Sequence, residues 1–216
     1  MKDRSKTYAN ERITVRFEPR RCIHAAECVR GLPGVFDPDR RPWIEPGEAE
    51  TDAIAGVVAR CPTGALHYER RDGGAAEAPD AVNQIRVTRN GPLHLRGTIE
   101  LRADGEVIAR DLRVALCRCG ASRNAPFCDN SHRAIRFVDP ADVFEGGVKP
   151  AETPDATLRV SAEPNGPYRL EGPLEVVSGD GLVRLAGGRA ALCRCGGSRN
   201  KPFCDGSHRT VEPAEP

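Results

Sequence analysis

One phrase is written twice in this chain. ALCRCGASRNAPFCDNSH at 115–132 returns at 191–208 as ALCRCGGSRNKPFCDGSH, with fifteen of eighteen positions identical. Each copy spaces its donor side chains as Cys-x-Cys-x8-Cys-x3-His. That groups Cys117, Cys119, Cys128 and His132 in the first copy and Cys193, Cys195, Cys204 and His208 in the second. Three thiolates and an imidazole around one point hold zinc or an iron–sulfur cluster, and the spacing alone leaves both open. The nine cysteines are an odd number, which fits a disulfide framework poorly. The opening MKDRSKTYANER lacks an apolar leader core, and no run approaches ~20 apolar residues. The expected setting is therefore the cytoplasm, away from membranes, with thiols kept reduced and free for metal.

Only 39% of the 216 residues are hydrophobic and 5% aromatic, so small metal-stapled units are expected in place of one large core. A formal net charge of +1 leaves no basic excess for a nucleic-acid surface. No Gly-rich phosphate loop follows a predicted strand. No nucleophile and base stand apart from the metal-spaced residues, so an enzyme is not expected.

Three units are read along the chain, at 10–70, 82–138 and 157–212. In the first, Ile13–Phe17 alternates apolar and polar residues like a strand, and 25–31 reads as a helical turn ending at Gly31 before Pro33. Ile54, Val57, Val58 and Cys61 recur at helical spacing, in a helix that Pro62 should stop. Residues 66–68 look like a short closing strand. The Gly-, Ala- and Pro-containing stretches 70–81 and 139–156 read as linkers. The other two units are copies: Asn90-Gly91-Pro92 aligns with Asn165-Gly166-Pro167, and apolar alternation around both turns predicts hairpins. His67 and His94 fall in strand-like stretches without nearby cysteines, which favours the surface. Trp43 reads as a packing anchor.

The residues between the ligands sharpen the choice of metal. Ser198, Pro202, Asp205, Gly206 and Ser207 complete, with the four donors of the second copy, the pattern of the CDGSH iron–sulfur domain family, which the repeat resembles. The first copy matches at Ser122, Pro126, Asp129 and Ser131, with Asn130 in place of the glycine. The resemblance implies one [2Fe-2S] cluster per copy, held by three Cys and one His. It also implies a β-rich fold in which the two units pair about a pseudo-two-fold axis, here within one monomer.

Physical roles follow for the neighbours. Asp129 and Asp205 are expected to cap a helix starting at Ser-His-Arg. Pro126 and Pro202 stiffen the approach to the third cysteine. Gly120 and Gly196 should let backbone pass close to the sulfurs. If residue 130 needs positive φ, Asn tolerates it at a cost of about 1 kcal/mol, leaving the first site filled but slightly the weaker.

In the first unit, CIHAAECVRGLPGVF followed by RCPTGAL resembles single-cluster ferredoxins, and with RRPWI the whole stretch is similar to the divergent mono-cluster ferredoxin-like domain of [4Fe-4S] type. The resemblance implies Cys22, Cys28 and Cys61 as ligands. Ala25 stands at the usual second-ligand position and cannot coordinate. The cluster would then be [3Fe-4S], or [4Fe-4S] with an open or non-Cys site, for which His24 is the nearest candidate. The fold class expected overall is α+β: a small ferredoxin-like α+β N-terminal domain, then two β-rich CDGSH-type units.

The expected function is electron transfer by a multi-cluster iron–sulfur protein, toward a redox partner the sequence does not name. The alternative is cluster delivery to an apo-protein, or redox/pH sensing, through labile His-ligated clusters. A structural zinc protein is the third and weakest option.

Overall fold

The computed structural model describes residues 5–152 and 155–210. The chain falls into two compact units that divide between Ala78 and Pro79. The first mixes strands and helices in about equal measure, whereas the second is dominated by strands. Among the described residues, no helix is long and apolar enough to cross a membrane.

The first unit holds a three-stranded antiparallel sheet of β1 (Lys6–Ala9), β2 (Ile13–Phe17) and β3 (Leu66–Arg70), with β2 in the centre. Two helices lie between β2 and β3: α1 (Glu27–Gly31) and α2 (Thr51–Ala59). The apolar face of α2 buries Ile54, Val57 and Val58 against Ile13, Val15 and Phe36. The helix ends at Ala59, short of Cys61, because Pro62 excludes helical backbone at the residue before it. The Cys61 amide closes the last turn on the Val58 carbonyl at 2.9 Å. The helical turn read over 25–31 begins only at Glu27, since His24 and Ala26 both take positive φ.

In the second unit each copy contributes three main strands. The first gives β4 (Gln84–Val87), β5 (Leu93–Ala103) and β6 (Glu106–Leu116), followed by the one-turn helix α3 (Ser131–Ala134). A two-residue strand, β7 (Val148–Lys149), precedes the second copy's β8 (Leu158–Ala162), β9 (Tyr168–Val177) and β10 (Arg184–Leu192). Within each copy the first two strands form the hairpin expected around Asn-Gly-Pro. The turns close by Gly91 donating to Thr88 and Gly166 to Glu163, with Asn90 and Asn165 at positive φ.

Between copies the pairing is reciprocal. On β5, residues Leu93–Arg96 face β4 and residues Ile99–Ala103 run parallel to β8. On β9, Tyr168–Glu171 face β8 and Glu175–Val177 run parallel to β4. Strands β4, β5, β8 and β9 thereby close a ring, with β6 added on β5 and β10 on β9. Alternate residues point inward, and Ile85, Leu95, Leu101, Val160, Leu170 and Val176 build one shared core.

Both stretches read as linkers are tied down. Glu77 returns to β3, where its Oε2 lies 2.8 Å from His67 Nδ1. In 139–156, Asp139, Ala141 and Val143 are buried, and β7 pairs with β10. Their polar, Pro-containing composition hid this because few residues carry the burial. His94 also departs from the expected surface placement: its ring is largely buried and its Nδ1 lies 3.0 Å from Thr88 Oγ1.

Candidate metal centres

Each repeat makes its site from one loop returning on itself. The loop leaves β6 at Cys117, and the Cys117 amide donates to the Pro126 carbonyl at 2.9 Å while the Cys128 amide donates to that of Ala115 at 2.9 Å. The second copy repeats this after β10, with Cys193 to Pro202 at 2.8 Å and Cys204 to Ala191 at 2.9 Å. The invariant residues of the phrase knit the loop. Ser122 Oγ donates to the Phe127 carbonyl at 2.6 Å, and Asp129 accepts from the amides of Arg123 and Ser131, each at 2.9 Å. Ser198 and Asp205 make the same bonds in the second copy. The aspartates do accept amides at the helix start, but from one position before the cap. The cap residues are Asn130 (φ 74°) and Gly206 (φ 91°), so this position does require left-handed backbone.

The donor atoms sort into pairs. Cys117 and Cys119 place their sulfurs 3.6 Å apart, and Cys128 Sγ lies 3.5 Å from His132 Nδ1. In the second copy the separations are 3.8 Å for Cys193 and Cys195, and 3.3 Å for Cys204 and His208 Nδ1. Among the described residues, no three Cys, His, Asp or Glu side chains converge closely enough to hold one metal ion. A single tetrahedral zinc needs all four donors at one point, whereas a two-iron cluster takes them two per metal. The donor set fits the second arrangement. Backbone amides add to it: Asn130 donates to Cys128 Sγ at 3.5 Å and Gly206 to Cys204 Sγ at 3.4 Å.

Electrostatics differ within the first site. The Cys119 thiol bonded to Cys117 pulls Cys117 down to about 6 and drives Cys119 up. Burial raises Cys128 to about 11 and lowers His132, whose neutrality is further favoured by Arg133. Neutral imidazole and thiolate are the forms that bind metal.

Sequence reasoning missed what surrounds the first site. Arg118, between the two ligands, is 2% exposed. It donates to Asp139 Oδ1 at 2.6 Å, to the Gly91 carbonyl at 2.8 Å and to the Thr88 carbonyl at 2.6 Å, and stacks over Phe137. From the other copy, buried Tyr168 donates its hydroxyl to the carbonyls of Cys117 (2.8 Å) and Pro126 (3.0 Å). The position equivalent to Tyr168 in the first copy is Leu93, so the second site has no matching bond. Cys119, Cys128 and His132 are buried, while Cys195, Cys204 and His208 are half-buried. The surroundings thus oppose the expectation that Asn130 makes the first site the weaker. Gly120 and Gly196 also act differently from expectation: each approaches the other copy's ligand backbone more closely than a side chain would allow.

In the first unit, Cys22, His24, Ala25, Cys28 and Cys61 line one cavity of about 590 Å³. Burial raises the Cys22 thiol and lifts Cys28 to about 11, and Cys61 adds to both. Thr63 Oγ1 lies 3.6 Å from Cys61 Sγ. His24 is exposed at the cavity wall. Trp43 packs edge-on against Phe17 at 4.8 Å and also faces the cavity.

The paired cysteine and histidine donors mark the two repeat loops as candidate metal centres. Residues 8–71 match the family model described as divergent 4Fe-4S mono-cluster, and residues 90–133 and 165–209 match that of the iron-binding zinc finger of CDGSH type. The chain belongs to the tandem CDGSH iron–sulfur proteins, with a divergent mono-cluster domain at its N-terminal side. Over 66 residues it is 38% identical to the uncharacterized protein YjdI of Escherichia coli strain K12, a match covering 31% of this chain and 87% of that protein. The protein of the same name from Escherichia coli O157:H7 matches to the same extent. No solved structure matches the chain.

Proposed function

We propose that this protein transfers electrons through three iron–sulfur centres. One [2Fe-2S] cluster is held by Cys117, Cys119, Cys128 and His132, and one by Cys193, Cys195, Cys204 and His208. A [3Fe-4S] or [4Fe-4S] cluster is held by Cys22, Cys28 and Cys61. The observation that carries this reading is the sorting of donors into a thiol–thiol and a thiol–imidazole pair in both repeats.

Bound clusters supply one-electron redox chemistry. The chain's residues set its direction. A neutral histidine in place of a thiolate removes one negative charge and raises the potential, so the repeats are the high-potential end and the three-cysteine centre the low-potential end. The loop amides of Asn130 and Gly206 donate to the sulfurs of Cys128 and Cys204. We read the protein as a cytoplasmic monomer that catalyses no reaction of its own and passes electrons to a small redox protein. Its two repeats pair about a pseudo-two-fold axis, a reading supported by the reciprocal strand pairing. Iron and acid-labile sulfide analysis of anaerobically purified protein, followed by a redox titration read by EPR, tests the relay. The expected result is a first-unit centre reduced at the lower potential. Its absence, or a higher potential there, would sink the idea.

A second reading, cluster delivery or sensing, is favoured by the half-buried donors of the second site. Metal ligation needs a neutral imidazole, so acid competes with the metal for a histidine ligand. Bleaching on acidification should then be faster in the native protein than in His208→Cys, and equal rates would remove this reading.

A further inference from the structure

The segment that carries the chain from the first copy to the second runs past both metal loops, and its two ends are fastened differently. At the first loop the Phe137 amide donates to the carbonyl of His132 at 2.9 Å. Asp139 Oδ1 accepts from Arg118 at 2.6 Å and from the Ala141 amide at 2.9 Å, and the Asp139 amide donates to Asn90 Oδ1 at 2.8 Å. Ala141 and Val143 are buried, and the Ala141 carbonyl accepts from the Gly179 amide at 2.9 Å. Beyond them Phe144, Glu145 and Gly146 are exposed, before the segment reaches the second copy at Gly147 and β7.

That second fastening is short and built for close approach. Gly147 packs against the ring of Phe203, the residue before Cys204, so closely that a side chain at 147 would collide with the ring. Val148 and Lys149 pair with Ala190 and Arg189 on β10, just ahead of Cys193. A Cβ on Gly187 would lie 2.8 Å from the Lys149 carbonyl oxygen, and one on Gly188 would lie 2.7 Å from that of Ala151. Phe203 is itself tied into the metal loop, since its carbonyl accepts from Ser198 Oγ at 2.7 Å. The first copy has no such strand. Asp111 and Leu112 stand at the positions of Gly187 and Gly188, and among the described residues β6 pairs with β5 alone. There Asp111 Oδ1 takes the amides of Leu112 and Arg113, at 2.6 Å and 3.0 Å.

Resting on the reading of Cys193, Cys195, Cys204 and His208 as metal ligands, we propose that residues 144–149 are a latch on the second metal loop. Seated, the latch fixes Phe203 and the end of β10, and through them the backbone that carries Cys204 and Cys193. Lifted, it leaves Phe203 uncovered and lets the loop open. Two strand pairs and one glycine contact form a small unit of the kind that opens locally, without global unfolding. The buried Arg118–Asp139 pair holds the other end of the segment in place, so lifting the latch spares the first loop. The two sites therefore differ in kind: the first retains its metal, and the second loses it at a rate set by latch opening.

The test is the rate of iron loss to a chelator from the full chain, purified anaerobically. It is read in Cys117→Ser and Cys193→Ser backgrounds, so that each repeat is followed alone and the first unit contributes equally to both. Gly147→Val, which collides with Phe203, should speed loss from the second site by about tenfold. The milder Val148→Ala should speed it less, and both should leave the first site's rate unchanged. Amide hydrogen exchange in Gly147→Val should rise over 189–209 and stay as in the native protein over 115–139. Equal acceleration at both sites, or native rates of loss in both variants, overturns the latch alone. Native protein that holds no metal at the second site overturns the ligand reading, and the latch with it.

Discussion

A Cβ placed on Gly120 would lie 2.5 Å from the carbonyl oxygen of Cys195, and one on Gly196 would lie 2.6 Å from that of Cys119. Each cluster loop is thus seated on the ligand backbone of the other. Both glycines have positive φ, so an alanine meets strain and a backbone clash together. Gly120→Ala should cost at least about 2 kcal/mol by denaturant unfolding and lower iron per chain at both repeats. Gly105, at nearly the same φ with open space around it, is the control. If Gly105→Ala costs as much, the contact between loops carries no weight.

Tyr168→Phe removes one hydroxyl and leaves two buried carbonyls, of Cys117 and Pro126, each short of a bond. The expected loss is about 1–3 kcal/mol. Because the second site has no equivalent bond, cluster loss should begin at the first. Site-resolved iron occupancy in Cys193→Ser and Cys117→Ser backgrounds reads this out, and equal loss at both sites would refute it.

Asp139→Ala leaves the guanidinium of Arg118 buried without its anion. Breaking such a pair costs about 3–5 kcal/mol. Arg118→Met with Asp139→Leu removes both charges and should recover most of that loss in urea unfolding. A double variant as unstable as Asp139→Ala would contradict the role of the uncompensated charge.

Burial, with Arg86 and His132 nearby, lowers His94 to about 4. The unfolded chain protonates this side chain near pH 6.5, whereas the folded one does so only near pH 4. Above about pH 6.5 neither state binds the proton and the contribution to stability is complete. As pH falls from about 6.5 to 4, the unfolded state gains the proton first and stability drops, by up to about 3 kcal/mol. His94→Gln should flatten the unfolding free energy over that window relative to native protein. Parallel curves would show that His94 does not titrate as stated.

Much of the architecture could be read from periodicity. The strand at Ile13–Phe17 and both Asn-Gly-Pro hairpins follow from alternation and turn chemistry, because each is set by neighbours in sequence. In the repeats the close pairs Cys117–Cys119, Cys128–His132, Cys193–Cys195 and Cys204–His208 were equally legible, since spacing within one loop decides which side chains meet. What escaped depends on residues far apart. Tyr168 reaches Cys117 across 51 positions, and nothing local distinguishes it from Leu93, its counterpart in the other copy. Arg118 carries no local signal between its two neighbouring cysteines, and Asp139 opens a stretch that reads as a linker, because their partnership exists only after the sheet has closed. The role of Gly120 was misplaced for the same reason: the close approach is to the other copy.

The strand exchange has a consequence for how the protein is made. On the ribosome the first copy is complete, ligands included, once residue 134 has emerged, yet β4 and β5 still lack their partners β9 and β8. The first loop also awaits Tyr168 and the backbone of Cys195. Pairings of such long sequence separation form late. Synthesis through β9 and the Cys195 loop therefore precedes a durable site in either repeat, and a nascent chain stalled before β9 should hold iron poorly at Cys117, Cys119, Cys128 and His132 even though all four are already made.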